Sequence, residues 1–255
     1  MIKTPLSTVL GGAFWTPGAT VINGAKLSFE IVMKKLFANG EQGFWYDPND
    51  LSTMFQDSAG TVPVTAVGQA VGLIRDKSGR NNHAYQTTSA SRPILRKNAV
   101  TGANYLEFDG VDDFLETTAF ALPAPFGSMH AFRSVKLAGT NPIVSGGASG
   151  YLYFSTLTNM QILGGDSIAR GNPDTVYHQA DKNGVLLKSN IASSLNPTGA
   201  LTAYASNAPK YLARFNTSGA NYGGFDYYGG IMVSKTLSAT DEQVLRNLFN
   251  QRLGV

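Results

Sequence analysis

The chain has no cysteine, which excludes disulfides, thiolate metal sites and a cysteine nucleophile. A thiol-free chain works in reducing and oxidising surroundings alike, so the compartment stays open. Charge is scarce too: 20 Lys+Arg and 17 Asp+Glu make 15% of 255 residues, against roughly 25% in soluble domains. The densest basic clusters, Lys34-Lys35 and Arg92 to Lys97, are too sparse to track a phosphate backbone, which argues against a nucleic-acid partner. The net charge of +3 therefore names no partner. Long apolar runs are also missing. Pro5, Pro17 and several glycines interrupt the stretch from Pro5 to Ala25, and Lys26, Glu30, Lys34 and Lys35 follow, so no membrane span fits. The Met1-Ile2-Lys3 start lacks the clean apolar core and small-residue cleavage site of a signal peptide.

What is abundant is glycine, at 28 residues, with 11 prolines, 43% apolar residues and 11% aromatics. That composition describes many turns around a large aromatic core, and at this length roughly 70–75% of the unfolded surface is buried on folding. One main domain is expected. Short apolar runs at 71–74, 105–108, 129–135, 151–154 and 184–187 are separated by turn clusters such as Asp76 to Asn82, Asp109-Gly110 and Asn183-Gly184. Their alternation points to antiparallel sheets with one face in solvent, in a sandwich or barrel. Two segments read as helical. Leu27, Ile31, Leu36 and Phe37 fall partly at helical spacing before an Asn39-Gly40 stop, and Val244, Leu245, Leu248 and Phe249 recur after a Ser238 or Thr240 cap.

Leu106-Glu107-Phe108-Asp109-Gly110-Val111-Asp112-Asp113-Phe114-Leu115, a strand ending in Phe-Asp-Gly before a paired-acid turn, resembles the signature of concanavalin A-like or laminin G-like jelly rolls. The Asp76 to Ala84 phrase, the strand at Met129 to Val135 and the closing Gly230-Ile231-Met232-Val233 agree with it. Leu36 to Asp57, with Trp45-Tyr46-Asp47-Pro48 at its centre, and Arg92-Pro93 are similar to tail-fibre-like and other virion proteins of tailed bacteriophages. The resemblance covers about residues 36–255. It implies an all-β, antiparallel jelly-roll β-sandwich over 44–255 and matches nothing in residues 1–30; the aperiodic Gly/Thr/Pro-rich start with the short amphipathic helix after it reads as an N-terminal arm over 1–43, and the Val244 to Phe249 spacing as a C-terminal helix. It further implies a non-enzymatic structural protein of the virion, assembled in the host cytoplasm. That protein would be oligomeric in the particle, contact other tail or capsid proteins, and adhere to host-surface glycan. Two rivals stand beside that reading: a capsid decoration protein that clamps coat subunits, and a cell-wall glycan hydrolase.

Four groups of residues carry candidate chemistry. Tyr222, Asp226 and Tyr227 combine rings for stacking on sugars with a carboxylate for hydroxyls. Asp109, Asp112 and Asp113 offer carboxylate oxygens to a calcium ion of the kind laminin G-like relatives bind, the one cofactor the resemblance implies; the rival reading is turn chemistry. Leu27, Ile31, Leu36 and Phe37 are expected to dock the arm on the virion. For catalysis, the Glu-x-Asp-x-x-Glu strand of jelly-roll glucanases is absent, and alternation does not keep Glu107, Asp109 and Asp112 on one face. Gly165-Asp166-Ser167, near Asp174 and His178, matches an esterase nucleophile block only superficially, because that block belongs to a parallel α/β sheet. His83, His130 and His178 lie far apart without ligand spacing. No enzyme is expected on these grounds.

Overall fold

The structure is a computed structural model that describes residues 29–136, 141–146, 150–154, 159–162, 167–169, 174–181, 184–196, 207–214 and 221–255. In chain order the helix α1 (Phe29–Leu36) precedes β1 (Gly43–Tyr46), β2 (Met54–Phe55), β3 (Leu73–Ile74), β4 (Ala84–Tyr85), β5 (Ile94–Lys97) and β6 (Asn104–Asp109). Then come β7 (Leu115–Thr117), β8 (Phe126–Lys136), β9 (Asn141–Gly146), β10 (Gly150–Phe154), β11 (Asn159–Ile162) and β12 (Ser167–Ala169). The remainder is β13 (Asp174–Asp181), β14 (Gly184–Lys188), β15 (Ser193–Asn196), β16 (Lys210–Leu212), β17 (Gly224–Val233) and the helix α2 (Ala239–Leu253).

Among the described residues these strands form two antiparallel sheets. The first runs β15-β14-β13-β8-β17-β6-β5 with β1 also paired to β17, and the second runs β12-β11-β10-β9-β16-β7-β4-β3-β2. Between them lies a core of Phe44, Tyr46, Leu95, Leu106, Phe108, Phe132, Phe225 and Tyr227 from the first sheet against Met54, Ile74, Leu115, Val144 and Leu212 from the second. The other face of the first sheet is covered by α1 and α2 over Trp45, Met129, Ala131, Tyr228 and Ile231. The result is a β-sandwich with a helical layer on one side. Every residue of β17 is buried because its two faces meet the opposing sheet and the helices. The β17 register to β8 slips at Tyr227/Gly229, a bulge that adds twist mid-strand.

The C-terminal helix forms as the sequence predicts. Ser238 accepts a bond from the Asp241 N–H, Asp241 and Glu242 complement the helix N-terminus, and Gly254 closes it with φ +81°. Leu245, Phe249 and Leu253 form its buried stripe. Ser238→Ala should cost about 1 kcal/mol, a drop of a few degrees in Tm that calorimetry would detect.

The attachment expectation for the arm changes where the chain is described. Among the described residues the helix covers Phe29–Leu36, and Leu36 and Phe37, two of the expected docking residues, are 1% and 4% exposed within the core beneath the helices. Phe29 meets Trp45 and Phe249 edge-on at 5.6 and 5.5 Å, and Lys35 pairs with Asp241 at 3.0 Å. Residues 29–37 are thus part of the folded body, because their apolar face has the α2 stripe and the sheet to close on. Of the other two, Ile31 is 48% exposed and Leu27 lies outside the described residues.

Candidate functional site

Side-chain alternation sorts the central strands of the first sheet. Leu95, Leu106, Phe225 and Phe132 point toward the second sheet, so their neighbours point the other way. Register then aligns Ile94, Glu107, Asp226 and Arg133 in one row across β5, β6, β17 and β8 on the outer face. Glu107 and Asp226 are directly opposite partners, which sets their Cβ atoms about 4.5–5.5 Å apart.

The two carboxyls differ in burial and in partners. Asp226 is 7% exposed, and burial pushes its pKa up from 3.8 to about 7, reinforced by the Glu107 charge and opposed by Arg133 and Arg96. Glu107 is more open and receives a hydrogen bond from Arg96 Nε to Oε2 at 2.7 Å. Arg133 Nη2 donates to the Leu253 carbonyl at the end of α2, while its buried Nε has no partner among the described residues. Tyr105 stacks on Tyr228 at 5.0 Å beside the row, and Asn98 Nδ2 donates to the Tyr228 hydroxyl. The ensemble is a protonatable acid, an ion-paired carboxylate and an aromatic flank. A carboxyl that burial keeps protonated near neutral pH is suited to act as a general acid.

The sequence-predicted trio separates onto three layers. Asp226 lies on the outer face of the first sheet, while Tyr227 is 0% exposed in the inter-sheet core with its hydroxyl 3.2 Å from His130 Nδ1. Tyr227 therefore offers no face for stacking on a sugar. Tyr222 bridges to Arg214 and packs 6.1 Å from Phe114, at the second sheet. Glu107, Arg96 and Arg133 escape sequence reasoning because only strand register brings them to Asp226.

The acidic turn does converge. Carboxylate oxygens of Asp109, Asp112 and Asp113 lie within 4.8 Å of one another. Each is already engaged: Asp109 Oδ1 accepts from the N–H groups of Val111, Asp112 and Asp113, Asp113 Oδ2 accepts from the Asp109 N–H, and Ser91 Oγ donates to Asp112 Oδ2. Burial, together with the Asp109 and Asp112 charges, pushes Asp113 up to about 6. Calcium needs six to eight oxygens, so these three residues supply part of a shell, and their bonding is that of a self-closed turn. The melting temperature should be the same in EDTA and in millimolar calcium. A calcium-dependent rise would identify an ion bound to the native state.

Of the remaining motifs, Gly165 and Asp166 lie outside the described residues, and Ser167 opens β12. Asp174 is buried and accepts from the Asn190 N–H. No helix among the described residues is long and apolar enough to cross a membrane.

No protein-family profile and no curated protein matches this chain. Solved structures do. A Trypanosoma rangeli sialidase bound to a difluorinated keto-deoxy-nononic acid matches with TM-score 0.51 at 12% identity, over 84% of this chain and 33% of that one. A mutant of that sialidase with trans-sialidase activity matches with the same figures. A GH54 α-L-arabinofuranosidase soaked with a cyclic sulfate inhibitor matches with TM-score 0.58 at 11% identity, over 86% of this chain and 65% of that one. The chain thus spans about a third of the sialidase and just under two thirds of the arabinofuranosidase. At these identities the likeness is one of fold. It overturns the expectation of a non-enzymatic virion adhesion protein, because the matched sandwiches belong to glycoside hydrolases. The physical reason is that turn-forming phrases such as Phe108-Asp109-Gly110 specify a scaffold that several functions share. What this chain shares with part of each of these structures is the fold.

Proposed function

We propose that this chain is a glycan hydrolase on a concanavalin A-like jelly roll, with Asp226 as the general acid and base and Glu107 as the nucleophile. The observation that carries the reading is the cross-strand pair itself: a buried carboxyl that keeps its proton to about pH 7, directly opposite an Arg96-paired carboxylate. What the matched chains are named for, cleavage of sialosides and arabinofuranosides, agrees with that chemistry.

Cross-strand partners on one face bring two carboxyls close enough for one sugar ring to meet both, and we assign retention, in which the carboxyls lie about 5–5.5 Å apart. In the first half-reaction Asp226 gives its proton to the glycosidic oxygen while a Glu107 oxygen attacks the anomeric carbon. The C–O bond to the leaving group breaks as the Glu107–sugar ester forms. Asp226, now a carboxylate, takes a proton from water, and the resulting nucleophile displaces Glu107 and regenerates both groups. Arg133 stands opposite Asp226 in the register, and its charge favours the ionised Asp226 that the second half-reaction requires.

Activated 2-deoxy-2-fluoroglycosides test the assignment. Peptide mapping after turnover should find the sugar on Glu107, and Glu107→Gln should abolish the adduct. A sugar attached to another carboxyl would refute these roles.

A further inference from the structure

A second constellation lies at the other sheet, away from the carboxyl pair. A cleft of about 550 Å³ is lined by Ser58, Leu73, Arg75, Asn81, His83 and Tyr85, with Ala59 and Thr118 completing it. That size falls within the range of small-molecule sites. Among the described residues, no acid lines it.

Its polar groups are held in place by the chain around them. Asp76 ties the 76–83 loop together: Oδ1 accepts from the Trp45 and Ser78 N–H groups, and Oδ2 accepts from Ser78 Oγ and the Asn82 N–H. Asp76 N–H in turn donates to His83 Nδ1 at 3.0 Å. That bond assigns the proton of the neutral ring to Nε2, leaving it a donor. Asn81 sits at φ +60°, a left-handed conformation that non-glycine residues adopt mainly where surrounding structure imposes it. The Arg75 guanidinium lies 4.3 Å over the Phe55 ring, and among the described residues no acid pairs with it. Stacking fixes the plane of the fork and leaves its N–H edge for a ligand.

We infer that this cleft binds a carboxylate-bearing sugar, with Arg75 taking the carboxylate in a bidentate fork and Asn81, His83 and Tyr85 taking hydroxyls. A carboxylate can take both prongs of the fork, as a tetrahedral oxyanion also can, and sulfate is therefore the control. The hydroxyl-rich walls and the apolar floor of Leu73 suit a saccharide better than a bare ion. The site is independent of the Glu107–Asp226 pair and is tested by binding alone.

Calorimetric titration of the full chain with trigalacturonate, with galactotriose and with sodium sulfate distinguishes the outcomes. The trigalacturonate should bind, galactotriose should bind at least tenfold more weakly, and Arg75→Gln should weaken the trigalacturonate by about 10- to 100-fold, the range for a lost charge-assisted bond. Lys97→Gln removes the same charge elsewhere and should leave the affinity unchanged. Sulfate binding as tight as trigalacturonate, or equal affinity for Arg75→Gln and the unaltered chain, would overturn the inference. Chemical shifts in the NMR spectrum of Arg75→Gln keep the test valid by showing that the variant is folded.

Discussion

Asp226→Asn is expected to lower kcat for glycoside cleavage by about 10²- to 10⁴-fold, the usual worth of a positioned acid, while making the protein more heat-stable at alkaline pH. The two halves follow from one fact. The carboxyl titrates near 7 in the folded chain because burial, and then the Glu107 charge, penalise its ionised form. Its folded pKa is raised above the ordinary 3.8, so the stability tied to its proton is fully present below about pH 4 and is lost as pH rises through about 7. At pH 8 the native protein holds a buried, ionised carboxylate opposite another, and an asparagine removes that penalty. At pH 4 both side chains are neutral, and Tm should be the same for the two proteins. A purely structural role for Asp226 would not couple a gain in stability to a loss of turnover. The same protonation sets the rate: kcat/KM should fall above about pH 7, when the acid has lost its proton.

Gly43→Ala should cost about 3 kcal/mol or more, from backbone strain and overpacking together, which corresponds to a fall of roughly 10 °C in Tm for a chain of this size. Gly43 begins β1 with φ +144° opposite Val233, and a Cβ there would stand 1.8 Å from the Met232 carbonyl oxygen. Both the conformation and the space require glycine. Relief means pulling β1 away from β17, and β1 carries Phe44 and Tyr46 into the inter-sheet core and Trp45 under the helices. Urea denaturation would show a reduced midpoint. An unchanged midpoint would mean that β1 contributes little to the fold.

β1 also shows where sequence reasoning stops. Strands 105–108, 129–135 and 184–187 are legible because one face of each alternates against turn residues, and they appear as β6, β8 and β14. The helix at 239–253 is legible from its cap and stripe. Gly43–Tyr46 is not legible as a strand, since both of its faces are buried and no alternation marks it. The arm misleads for a related reason: an amphipathic segment shows that it needs an apolar partner without saying that the partner is the chain's own α2. At the site, Asp226 is visible as a carboxylate among aromatics. Whether Tyr227 joins it depends on alternation, which turns one residue out and the next in. Glu107 is dismissed in the sequence because it fails a single-strand pattern with Asp109 and Asp112. Its partner comes from β17, and register across a sheet is absent from any local motif.

The most direct test of the central claim is hydrolysis of a panel of 4-nitrophenyl glycosides, including the sialoside and the α-L-arabinofuranoside, by the full chain and by Asp226→Asn and Glu107→Gln. Nitrophenolate should be released from at least one substrate, with an alkaline limb near pH 7, and each variant should lose at least 10²-fold. Release that is unchanged in both variants, or no release from any member of the panel, would contradict that claim.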